Sequence, residues 1–128
     1  ETMAKPHVMA GLPVYAADTD AEAQRLFTSM QQQFLTLRRG RPGQLPPPVD
    51  SMEGLWAPHE QAMVAQALSC AVVGSPEPVR AGLKSFIART GADEIMATAQ
   101  IYDHAARVHS FEILADARDR LADEARAA

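Results

Sequence analysis

Ala71-Val72-Val73-Gly74-Ser75-Pro76-Glu77-Pro78-Val79 opens a stretch, running on through Thr90-Gly91-Ala92-Asp93-Glu94-Ile95-Met96-Ala97-Thr98-Ala99, in which the type of element alternates regularly. Ala71-Val72-Val73 reads as a short strand, apolar and β-branched. Ser75-Pro76 caps and opens a helix, because proline is tolerated where the backbone N–H has no partner in any case. Val79, Leu83, Phe86 and Ile87 form that helix's apolar stripe, and Thr90-Gly91 closes it. Glu94 to Ala99 gives another strand, Asp103 caps, and a last helix runs from about His104 toward the alanine-rich end. Strand, helix, strand, helix with short connections implies parallel strands lying side by side under covering helices.

Upstream, His7 to Ala17 reads as a largely buried strand carrying Val8, Met9, Leu12, Val14 and Tyr15. Pro13 cannot donate a ladder hydrogen bond, so with Gly11 it points to a bulge or an edge in mid-strand. Thr19 and Glu22 have the spacing of a reciprocal capping box. Leu26, Phe27, Met30, Phe34 and Leu37 then trace one helical face, and Arg38 and Arg39 suit the negative end of the helix dipole before Gly40 stops it, which places the helix over residues 21–39. Residues 40–57 break the pattern with Gly-Arg-Pro-Gly and Pro46-Pro47-Pro48. A short helix follows over 58–68, with Met63, Val64, Ala67 and Leu68 on one face. The expected division is a strand–helix unit (1–40), a loop or lid with a short helix (41–70), and two more strand–helix units (71–92 and 93–128).

The 128 residues are 47% hydrophobic with a net charge of -4, which sets a soluble globular protein as the expectation. Arginines dispersed among acids leave no basic stripe, so no nucleic-acid partner is expected. No apolar run approaches the roughly 20 residues that span a bilayer. The start Glu1-Thr2-Met3-Ala4-Lys5 has no signal-peptide core, so no membrane association and a cytoplasmic location are expected. A single cysteine, Cys70, excludes an intrachain disulfide and reads as a small buried hydrophobe. Three strands are too few for a closed barrel, which needs eight strands and about 250 residues. The expectation is therefore a piece of a longer protein or a half-barrel that pairs, and a first residue other than methionine favours the piece.

Ser69 to Val79, with Arg89-Thr90-Gly91-Ala92-Asp93-Glu94-Ile95-Met96 and Gln100-Ile101-Tyr102-Asp103-His104-Ala105-Ala106-Arg107, is similar to the end of luciferase-like monooxygenases, the alkanal monooxygenase-like relatives of bacterial luciferase. The resemblance covers nearly the whole chain, including Arg38-Arg39-Gly40-Arg41-Pro42-Gly43. It implies the C-terminal portion of a (β/α)₈ TIM barrel that uses reduced FMN and O₂ to oxygenate an organic substrate. It further implies a separate flavin reductase and a homo-oligomer, commonly a dimer. The family's flavin phosphate contacts lie mostly upstream of these segments, so the fragment alone is expected to be inactive.

Chemistry in barrels collects past the C-terminal ends of the strands. Gln100 and Tyr102 are placed to hydrogen-bond a flavin ring or substrate, and His104 to relay a proton. Equally, Asp103 caps the final helix while Tyr102 and His104 pack its first turn. Ser75 opens a helix whose free N–H groups suit an anion such as the cofactor's phosphate, although Glu77 already complements that dipole. The 40–57 segment is a lid excluding water or a surface excursion anchored by Trp56. Arg38, Arg39 and Arg41 pair with a phosphate or stand in solvent. No metal site is expected: His7, His59 and His109 lack metal spacing, and His59-Glu60 lacks the second histidine of a zinc helix. The rival readings are a deazaflavin-dependent oxidoreductase, a non-catalytic flavoprotein of the same fold, and a dimerisation or interaction module.

Overall fold

A computed structural model describes residues 4–128; Glu1, Thr2 and Met3, part of the start inspected for a targeting signal, lie outside it. The elements are β1 (Met9–Ala16), α1 (Asp20–Arg38), α2 (Pro58–Ala67), β2 (Val72–Gly74), α3 (Pro76–Thr90), β3 (Glu94–Thr98) and α4 (His104–Ala127). The expected α/β class, with three parallel strands, covering helices and a proline-rich insertion, is present. The strands do not follow chain order, however. β1 lies in the middle, with Val14 beside Val72 of β2 on one edge and Ala10 beside Ile95 of β3 on the other.

This order decides where the helices go. A right-handed crossover from β1 to β2 moves one way, and the crossover from β2 to β3 returns past β1, so their helices fall on opposite faces. Leu12, Val14 and Ala16 accordingly pack with Val79, Leu83 and Phe86 of α3 and Ile113 and Ala117 of α4. Tyr15 and Ala17, pointing the other way, pack with Ala23, Leu26 and Phe27 of α1 and with Ile101.

That alternation runs through Pro13 unbroken, so no bulge is present, and the expected edge is a local one, since only β3 flanks the strand at Pro13. Val8 offers its carbonyl to Asp93 and Glu94, and Ala17 donates its N–H to Gly74. By alternation, odd-numbered residues of β1 address the β2 edge. β2 pairs only with Val14–Ala16, so the donor that Pro13 lacks would have met no strand.

Gly74 and Gly82 fit β2 between its helices. A Cβ on Gly82 would come within 2.8 Å of Val72 Cγ1, and one on Gly74 within 2.9 Å of Pro78 Cβ and 3.1 Å of Asp20 Oδ1. The other half of the sheet is bare. Met9, Gly11, Glu94 and Met96 share a face that no helix of the described residues covers, and Met96 is 56% exposed. On the opposite face Leu83, Ile87, Ile95, Ala97, Phe111 and Leu121 border an apolar groove of about 510 Å³.

The proline-rich segment runs back along α1 and is tied to it repeatedly. Gln33 donates to the Gly43 carbonyl (3.4 Å), Gln32 to that of Pro47 (3.0 Å), and Arg25 to Asp50 (3.2 Å). The Thr28 hydroxyl accepts from the Val49 N–H at 2.9 Å. Met52 is then buried against Leu35 and Val64, with Trp56 at the margin. Arg39 binds both carboxylate oxygens of Glu60 at 2.7 Å and also donates to the Leu55 carbonyl. Glu60 in turn accepts from the Ala57 N–H, and these contacts, Arg39's first, hold its carboxyl down at about 2.

Several local readings need correction. Cys70 is exposed, because the strand begins only at Val72 and Cys70 sits in the turn after α2. Thr19 caps α1 by accepting from Glu22 N–H, but the Glu22 carboxylate turns to Arg25, so the box is half made. Leu37 is 53% exposed, and Leu35 is buried in its place because the strap and α2 approach α1 from that side.

Candidate functional site

Parallel strands put their C-terminal ends on one rim, here Ala17-Asp18-Thr19 after β1, Ser75 after β2, and Ala99 to Asp103 after β3. The rim is stitched by polar contacts from the turn after β1. Asp20 Oδ1 accepts from both the N–H (2.7 Å) and the hydroxyl (2.8 Å) of Ser75, and these two bonds lower its carboxyl below the usual range. Ser75 therefore stands at the N-cap of α3 without capping it, its hydroxyl being committed to Asp20.

Asp18 Oδ1 lies 2.7 Å from His109 Nε2, and Glu112 reaches His109 Nδ1 at 3.2 Å. The Asp18 bond, then that of Glu112, raises the imidazole above its ordinary value. One residue on, the buried Ser110 hydroxyl accepts the Ala16 N–H at 2.9 Å. Ala16 addresses the β3 edge, but β3 pairs only as far as Pro13, so α4 supplies the acceptor the strand no longer offers.

Tyr15 is wholly buried, its ring 4.8 Å from that of Phe27, and its hydroxyl donates to Oε1 of Gln100 at 3.4 Å. Burial pushes the phenol up to about 12, a rise the backbone N–H of Gln100 partly offsets.

The residues singled out from the sequence thus divide. Gln100 is drawn to Tyr15, Ser75 is held by Asp20, and Tyr102 stands 54% exposed on the rim. Asp103 caps α4 by accepting from Ala106 N–H at 2.8 Å. His104 Nδ1 is 2.7 Å from Arg107 Nη2. A guanidinium only donates, so this network assigns the lone pair to Nδ1 and the proton to Nε2. Arg39 is engaged by Glu60, and Arg38 lies over the Phe34 ring. Among the described residues no group of three or more His, Cys, Asp or Glu is arranged to hold a metal ion. Among the described residues no helix is long and apolar enough to cross a membrane.

Sequence reasoning missed Asp18, Asp20, His109 and Ser110. Two acids flanking the Thr19 cap, and histidine three residues before Glu112, were the available signals.

No protein-family model matches the sequence. A protein of Escherichia coli (strain K12) named luciferase-like monooxygenase is 51% identical over 117 residues, 91% of this chain. The chain is a homologue of luciferase-like monooxygenases. An uncharacterized Bacillus subtilis protein, YvbT, is 48% identical over 116 residues. The crystal structure of apo-MsnO8 superposes with a TM-score of 0.69 at 26% identity, covering 89% of this chain. The chain spans 35% of the length of the E. coli protein, 34% of YvbT and 35% of the MsnO8 chain.

Proposed function

We propose that this chain is the C-terminal part of the (β/α)₈ barrel of a flavin-dependent, luciferase-like monooxygenase, and that the complete polypeptide oxygenates a small organic substrate. The observation that carries the reading is the 51% identity to the E. coli luciferase-like monooxygenase over 91% of the chain. The open outer edge of β3 also supports a longer chain, which would supply a further strand there.

The rim fits reduced FMN only in part. The N-terminus of α3 is a poor phosphate site, because Asp20 already takes the N–H and hydroxyl of Ser75 and brings a negative charge of its own. Gln100 fits better. Its Oε1 is turned to Tyr15, which leaves the two Nε2 donors for a ring carbonyl, and the exposed Tyr102 hydroxyl lies two residues on. Bound reduced flavin supplies two electrons to O₂, one oxygen atom going to the substrate and the other to water. In this reading Gln100 and Tyr102 orient the ring by hydrogen bonds, and His104 donates one from Nε2. Arg107 donates to Nδ1 of the same imidazole.

The reading extends to a partner reductase, a homo-oligomer and a cytoplasmic enzyme, each a further proposal. The test is the complete polypeptide given reduced flavin and ¹⁸O₂ with a panel of aldehydes and other small organic molecules. Label in a substrate-derived product is the expected result; flavin oxidation without any labelled product overturns the assignment.

A further inference from the structure

Tyr15 is an anomaly of its cluster. Its neighbours Ala17, Ala23, Leu26, Phe27 and Ile101 are apolar, and a phenylalanine would meet every one of the ring's packing demands. A buried hydroxyl costs desolvation unless it finds a partner, and Tyr15 finds Gln100 on the exposed rim, giving its proton to the carboxamide oxygen while the backbone N–H of the same residue also reaches it. We propose that Tyr15 is a positioning residue: its buried hydroxyl holds Oε1 of Gln100 and thereby fixes the carboxamide with both Nε2 donors toward the rim, ready for a carbonyl oxygen of a planar heteroaromatic ring.

The direction of the bond sets the amide. Tyr15 gives its proton to Oε1, so the carboxamide has its oxygen turned to the phenol and its nitrogen turned away from it. A primary amide in solvent presents either end to a ligand; this one has its Nε2 hydrogens free. The Phe27 ring, tilted 51° to that of Tyr15, and the turn that buries Ile101 next to Gln100 keep the two residues in register. The ligand class selected is a ring with an acceptor carbonyl, such as the pyrimidine edge of a flavin, which rests on the functional reading above.

The test uses the complete polypeptide and its Tyr15→Phe, Gln100→Ala and doubly substituted variants. Flavin affinity is read by quenching of flavin fluorescence, and KM for reduced flavin separately from kcat. Tyr15→Phe is expected to weaken flavin binding about three- to tenfold, the effect of one neutral hydrogen bond, and to raise KM while kcat stays within about twofold. Gln100→Ala is expected to match it, and the double variant to add nothing. Unchanged affinity in Tyr15→Phe, or additive losses in the double variant, overturns the proposal. A wild-type protein that binds no flavin sinks the functional reading and the ligand class with it. The side-chain amide resonances of Gln100 separate the two failures, because they read the positioning without cofactor. An amide pair displaced from the positions of a free glutamine in wild type that returns to them in Tyr15→Phe upholds it, and identical resonances in both proteins overturn it.

Discussion

The two edges of β1 have opposite fates. β2, only three residues long, is enclosed by α1 on one face and α3 on the other, so closely that Gly74 and Gly82 have no room for a methyl group. β3 is longer and just as apolar at Ile95, Met96 and Ala97, yet one of its faces is open and the other borders a groove. The difference shows that burial here follows the direction of the crossovers and not the hydrophobicity of the strand. Both crossovers place their helices over β1 and β2, and among the described residues none lies squarely over β3.

The sharpest way to break this comparison is to truncate one residue on each side. Leu12→Ala, at a site 1% exposed, should cost about 2–5 kcal/mol in chemical denaturation. If a barrel closes over β3, Met96→Ala should fall in the same range in the complete polypeptide; a change under about 0.5 kcal/mol would mean that Met96 stays bare. Next in size, Gly74→Ala should cost about 1–3 kcal/mol through its clash with Pro78 and Asp20, whereas Gly11→Ala, with open space at its Cβ, meets no such clash in the described chain.

Two pH effects should be smaller. Glu60 has a folded value of about 2, below its ordinary one, so its contribution is present above roughly pH 4.5 and lost as pH falls toward 2. Glu60→Gln should flatten the decline of the thermal midpoint over that window, read by the fluorescence of Trp56. His109 has the opposite sign. Its folded value is raised, so the Asp18 link is fully present below roughly pH 6.5 and weakens as pH rises through the higher folded value. His109→Gln should remove that slope, and because the side chain is 46% exposed the change in midpoint should be smaller than that of Glu60→Gln.

Much of this was legible in the residues. Thr19, Gly40, Pro58, Pro76, Gly91 and Asp103 mark helix ends because each acts through its own backbone or its nearest turn, and the observed bounds follow them within a residue or two. Strand order was not legible. Side-by-side pairing in chain order is the default for successive β-α-β units, and the long excursion between β1 and β2 gave no sign that β2 would dock on one edge and β3 on the other. The rim contacts were hidden for a similar reason. Asp18 and His109 are 91 residues apart, and Tyr15 and Gln100 are 85 apart, so only the folded sheet brings them together. Cys70 misled because the apolar run around it ignores the turn that lifts it into solvent.

That misplaced thiol has a practical consequence. The chain holds one cysteine and one tryptophan, and they bracket α2, with Trp56 just before its start and Cys70 just past its end. A maleimide-linked acceptor on Cys70 would make Trp56 a matched energy-transfer donor. The pair would form an optical ruler across a single helix, able to time how quickly the strap unclasps without any engineered labelling site.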